Sequence, residues 1–112
     1  MAFKLKFSDS FTIPVTVEIP DETKTLKQTF DAKFRRVTRT EFNDILASAN
    51  KKNADNKILD DVLLGWSGIK DADGNDFEFN EKNKEVLFEV YQVIPALIRA
   101  FFAATTAEKE KN

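Results

Sequence analysis

The sequence predicts an α+β fold: an N-terminal antiparallel β-hairpin packed with a bundle of about four helices, with a short β-turn segment in the middle. Three observations carry that reading. Apolar and polar residues alternate through 11–19 and again through 26–35, the period of a half-buried strand. From Thr38 onward apolar residues recur instead at three- and four-residue intervals, the period of an amphipathic helix. Between the helical stretches lies Leu64–Phe79, which holds the only tryptophan, all three glycines and a dense acidic turn.

The hairpin region is 1–37. Phe11, Ile13, Val15, Val17 and Ile19 share one face of its first strand; Pro14, on the other, cannot donate to a ladder and requires an open edge or a bulge. Pro20-Asp21-Glu22-Thr23 reads as the turn. In the second strand Leu26, Gln28, Phe30, Ala32 and Phe34 share one face, and Lys27, Thr29, Asp31, Lys33 and Arg35 form a wet, basic one. A helical hairpin follows over 38–65. Thr38 and Glu41 have capping-box spacing, with Phe42, Ile45, Leu46 and Ala49 behind them. After the polar loop 50–56, Ile58, Leu59, Val62 and Leu63 make the stripe of a second helix ending near Gly65. Residues 66–79 are read as two short strands around a tight acidic loop. Asn80 caps the next helix, and Pro95 restarts the last one, which runs to Thr106; together they fill 80–107. The charged tail 108–112 is expected to fray.

Length and composition narrow the function. A chain of 112 residues makes one domain, 1–112, and 42% hydrophobic with 32% charged residues is a soluble globular balance. Eleven phenylalanines against one tyrosine and one tryptophan mean rings that serve apolar packing, in the core or in a partner groove. Without cysteine or histidine there is no disulfide, thiol nucleophile, imidazole base or usual zinc ligand, so an enzyme is not expected. The net charge of −2 gives no footprint for nucleic acid or membrane. Its distribution is bipolar: Lys24, Lys27, Lys33, Arg35, Arg36 and Arg39 come early, while Asp71, Asp73, Asp76, Glu78, Glu81, Glu85 and Glu89 come late. Such a chain pairs its charges internally or stacks on copies of itself. The N-terminus lacks a signal-peptide core and no apolar run can span a bilayer, so a cytoplasmic protein is expected.

Each chemical constellation has a plainer reading beside it. Asp71-Ala72-Asp73-Gly74-Asn75-Asp76 resembles the start of a calcium loop, but the glycine comes too early and Lys82 stands where a bidentate Glu is needed. Asp73-Gly74 also makes an ordinary tight turn. Nothing in the spacing marks Glu78 or Glu81 as half of a catalytic pair with Lys70 or Lys82, and Gly65 and Gly68 lack the rest of a phosphate-binding pattern. The basic strand face carries no aromatic ring to stack a base. The C-terminal helix is different. Arg99 is its only charge between Pro95 and Thr106, and apolar side chains occupy more than one face, enough for a core and a partner.

The run Asp61-Val62-Leu63-Leu64-Gly65-Trp66-Ser67-Gly68-Ile69-Lys70-Asp71-Ala72-Asp73-Gly74 resembles the central block of tail assembly chaperones of long-tailed bacteriophages and prophages. Phe79-Asn80-Glu81-Lys82-Asn83 and Val93-Ile94-Pro95-Ala96-Leu97-Ile98-Arg99-Ala100-Phe101 extend the likeness, which covers roughly Thr38–Ala104. The resemblance implies a non-enzymatic protein that coats the tape-measure protein and helps recruit tail-tube subunits in the host cytoplasm. From the residues themselves no cofactor, metal, nucleic acid or membrane is expected, and self-association is left open. The residues expected to meet the partner are Trp66, Leu97, Ile98, Phe101 and Phe102. Two other readings compete. One is a structural virion component, such as a head–tail connector or tail terminator subunit. The other is a small nucleic-acid-binding regulator using Lys27, Lys33, Arg35 and Arg36.

Overall fold

The alternating segments form two twelve-residue strands, β1 (Ser10–Asp21) and β2 (Lys24–Arg35), in the computed structural model, which describes residues 2–107. They pair antiparallel in continuous register from Ser10↔Arg35 to Asp21↔Lys24. The turn at Glu22-Thr23 closes with Glu22 in the left-handed region (φ 53°). Alternation places Val15, Val17, Phe30, Ala32 and Phe34 on the buried face. On the wet face, Thr16 and Thr29 meet Oγ1 to Oγ1 at 3.0 Å and Glu18 lies 3.7 Å from Lys27. Pro14 and Pro20 both lie on β1, an edge strand of the sheet, where a missing amide breaks no ladder.

Helix α1 (Arg39–Ser48) starts with the capping box that Thr38 and Glu41 predict. The Glu41 N–H donates to Thr38 Oγ1 at 3.1 Å, and the Thr38 N–H donates to Glu41 Oε1 at 3.0 Å. Helix α2 (Ala54–Val62) buries Ile58, Leu59 and Val62. It ends at Val62, not near Gly65 as the sequence suggests. Leu63 turns extended (φ −82°, ψ 113°) and opens β3 (Leu63–Ser67), which pairs antiparallel with β2. The reason is tertiary: β2 otherwise leaves one side unpaired, and backbone groups there need partners. As a strand, Leu63 is buried opposite Phe34, and Trp66 comes opposite Ala32. The hairpin thus becomes a three-stranded sheet in the order β1-β2-β3, with a register shift at Lys33/Phe34.

The acidic turn that follows is closed by its own backbone. Asp71 Oδ1 accepts from the amides of Asp73 (2.9 Å) and Asn75 (3.0 Å), and Gly74 supplies φ +84°. Only a single bridge, Lys70↔Asp76, stands where two short strands around the loop are expected. Asn80 caps α3 (Glu81–Phe88) by accepting from the Asn83 N–H at 2.8 Å. The helix stops at Phe88, and Val90 and Tyr91 lie in the turn after it. Helix α4 (Val93–Thr106) begins two residues before Pro95, whose ring therefore sits in the first turn, where the missing N–H would have no partner in any case. The α3–α4 pair is bent by 104°. The tail expected to fray, 108–112, lies outside the described residues.

Candidate partner-binding surface

Helix α4 crosses the sheet over β1 and also packs on α2 and α3. Its sequence divides by position. Val93, Ala96, Leu97 and Phe101 are buried, and Leu97 and Phe101 are fully so at 0% exposure. Phe101 sits in a cluster of rings, with centroids 5.3 Å from Phe34, 6.3 Å from Phe42 and 6.5 Å from Phe11. Phe101 thus ties the sheet and α1 to α4. A partner could reach Leu97 or Phe101 only by opening the core, since both lie beneath the surface of the chain. Replacing Phe101 disturbs the fold itself.

Ile98 and Phe102 are half-buried, and Ile94 joins them one turn earlier. The spacing i, i+4, i+8 sets the three on one ridge of α4. Phe102 leans edge-on against Phe42, with centroids 5.3 Å apart, which fixes its ring while part of it remains open. Ile94 was not singled out from the sequence, although the four-residue spacing back from Ile98 points to it. Other open apolar side chains are Leu46 on α1 (44% exposed), Val86 on α3 (54%) and Tyr91 between α3 and α4 (85%).

Trp66 has a different position. Its indole Nε1–H donates to the Phe77 carbonyl at 2.7 Å, and its ring stacks on Phe77 and meets Phe79 edge-on at 4.8 Å. Lys84 Nζ lies 5.9 Å from the Phe79 ring centre and pairs with Asp60 (3.4 Å) and Glu81 (3.2 Å). Trp66 thus joins β3 to the segment after the acidic turn, and Lys84 ties α3 back to α2. The indole is half-buried and borders the surface without standing free on it.

Charges follow local pairings. Arg35 donates to Glu41 (3.0 Å) and Asp61 (2.7 Å), linking β2 to α1 and α2. Partial burial opposes the Arg35 charge, but the hydrogen bonds and charges of Glu41 and Asp61 outweigh it and raise its pKa. Glu41 is held below the ordinary glutamate range by the Thr38 amide and by Arg35. Asp76 is held low by the ammonium of Lys70, with which it makes an ion pair. Of the four basic residues considered for nucleic acid, Lys27 faces Glu18, Arg35 is paired, and Arg36 Nε donates to the Ser8 carbonyl at 2.7 Å. Lys33 is exposed on the wet sheet face, two residues from exposed Asp31.

The result is a small α+β domain with an aromatic core, a half-open apolar ridge on its last helix, and Glu41, Asp61, Asp71 and Asp76 engaged in a cap, a turn and ion pairs. That is the build of an interaction protein. The chain belongs to the phage tail assembly chaperone family, whose sequence profile matches residues 1–112. No curated protein and no solved structure matches it. Membership points to a binding role in tail assembly, with protein partners, and away from an enzymatic one. Among the described residues no single helix is long and apolar enough to cross a membrane.

Proposed function

We propose that this chain binds the tape-measure protein and helps recruit tail-tube subunits during tail assembly in the host cytoplasm. The observation that supports the first part most directly is the α4 ridge of Ile94, Ile98 and Phe102, half-open and anchored by the buried stripe beneath it. An apolar helix face of this kind receives another amphipathic helix through anchors at one-turn spacing. Many copies along one long client bind by avidity, so each contact can be small. Recruitment of tube subunits is supported by family membership alone.

Co-expression with the tape-measure protein tests the reading. Ile98→Lys combined with Phe102→Ser should lower co-purification by about tenfold or more, given two lost anchors of roughly 1 kcal/mol or more each. Circular dichroism should remain that of the wild type. Full retention of the client by a folded double variant would remove the ridge from the interface.

A further inference from the structure

Residues 2–9 precede the sheet as an arm without secondary structure. Phe3, Leu5 and Phe7 alternate along it with Lys4, Lys6 and Ser8, a strand period in a segment that has no strand partner. Phe3 is 82% exposed, Leu5 88% and Phe7 58%. Its root, by contrast, is fixed. The Arg36 amide donates to the Asp9 carbonyl at 2.8 Å, Arg36 Nε donates to the Ser8 carbonyl, and the guanidinium lies over Phe7 and Phe11.

The sheet offers two open edges, and they are not equivalent. The outer side of β1 carries Pro14 and Pro20, which blunt an edge against pairing. β3 has no proline, and among the described residues Leu64–Ser67 make no backbone hydrogen bond outside the pairing with β2; only Leu63, at its start, donates back to the Leu59 carbonyl. Its five residues match the length of the alternating arm. Charge matches as well: Asp71, Asp73 and Glu78, in the segment after β3, make no ion pair among the described residues, whereas the arm carries Lys4 and Lys6 and no acid before Asp9.

The arm cannot fill the β3 edge of its own chain. That edge lies three strand spacings from β1, about 14 Å, whereas the step from Phe7 to Ser10 spans about 10 Å at most. Ser8 and Asp9 are also bound to Arg36. We infer that the arm of one copy adds as a fourth strand to the β3 edge of a second copy, with Lys4 and Lys6 beside the acidic segment that flanks it. Main-chain bonds to the edge supply affinity and the alternate apolar side chains supply register. Each copy gives one arm and offers one edge, so the contact is head-to-tail and builds rings or open chains, unless two copies exchange arms. The inference is independent of what client the α4 ridge binds.

The absence of cysteine makes the test clean. Leu5→Cys and Leu64→Cys variants, mixed under mild oxidation, should form a disulfide-linked heterodimer. Leu5→Cys mixed with Thr12→Cys, on the opposite edge, should not. In sedimentation velocity the wild-type mass should rise with concentration above the 12.8 kDa chain. Phe3→Ser with Leu5→Ser, both on exposed arm positions, should weaken association by at least about 100-fold. A wild type that stays monomeric up to about 1 mM, an arm variant that associates equally well, or cross-linking to both edges alike would each overturn the inference.

Discussion

Phe101→Ala and Phe102→Ala, one residue apart on α4, should behave as two different kinds of substitution. Phe101 has 0% exposure and ring contacts with Phe11, Phe34, Phe42 and Phe102. Removing a fully buried phenylalanine ring loses its transfer energy and leaves a cavity, about 3–5 kcal/mol. A domain of this size has roughly 5–15 kcal/mol in all, so the loss is a large fraction of the total. At about 4 °C per kcal/mol near this chain length, the melting temperature should fall by about 12–20 °C. Phe102 is half-buried and touches Phe42 and Phe101 from one side, so its loss should come to about 1–2 kcal/mol. Urea unfolding followed by the Trp66 fluorescence gives both values on one scale, and unchanged m-values keep the comparison two-state. Equal losses for the two variants, or a Phe101→Ala protein within 1 kcal/mol of wild type, would refute the division of α4 into a core stripe and an open ridge.

Three further outcomes follow from individual contacts. Thr38→Ala removes the acceptor for the Glu41 amide and should destabilise by about 1 kcal/mol in chemical unfolding. Glu41→Gln keeps the capping-box geometry but removes the charge that faces Arg35. Because the folded pKa of Glu41 is lowered, its contribution is complete above the ordinary glutamate value of 4.5 and is lost as pH falls through the folded value. The stability gap between wild type and Glu41→Gln should therefore close as pH drops below about 4.5, and a gap that widens on acidification would contradict the assignment. Trp66→Phe keeps a ring against Phe79 but leaves the Phe77 carbonyl without its donor. It should lose about 1 kcal/mol by chemical denaturation, and amide exchange should accelerate in 75–79 more than in β1.

The strands and caps were legible because they are written locally. Alternation through 11–19 and 26–35 set both faces of β1 and β2, and Thr38 with Glu41 fixed the start of α1 to the residue. β3 was not legible for a physical reason. Leu63-Leu64-Gly65-Trp66-Ser67 is too short for a period to show, and Leu63 continues the helical stripe of Ile58, Leu59 and Val62. What decides the matter is the unpaired side of β2, distant in sequence. The candidate surface was half legible for a similar reason. Composition showed that α4 is apolar on more than one face, but which face is covered depends on where Phe11, Phe34 and Phe42 arrive from other elements.

That dependence also explains why the charges of this chain did not sort as the sequence order suggests. Early basic and late acidic residues could have paired across the fold, yet no ion pair among the described residues joins the two groups: Lys27 pairs with Glu18, Arg35 with Glu41 and Asp61, Lys84 with Asp60 and Glu81, and Lys70 with Asp76. Lys70–Asp76 is exposed and adds little to stability, whereas Lys84, buried on α3, gives up solvation for its two partners. Lys84→Met should therefore be close to neutral or stabilising, whereas Asp60→Asn, which leaves the ammonium with only Glu81, should lower the unfolding midpoint. If both variants lose stability equally, Lys84 is needed for its charge as well as its packing, and the acidic end of α2 then depends on α3 to hold it.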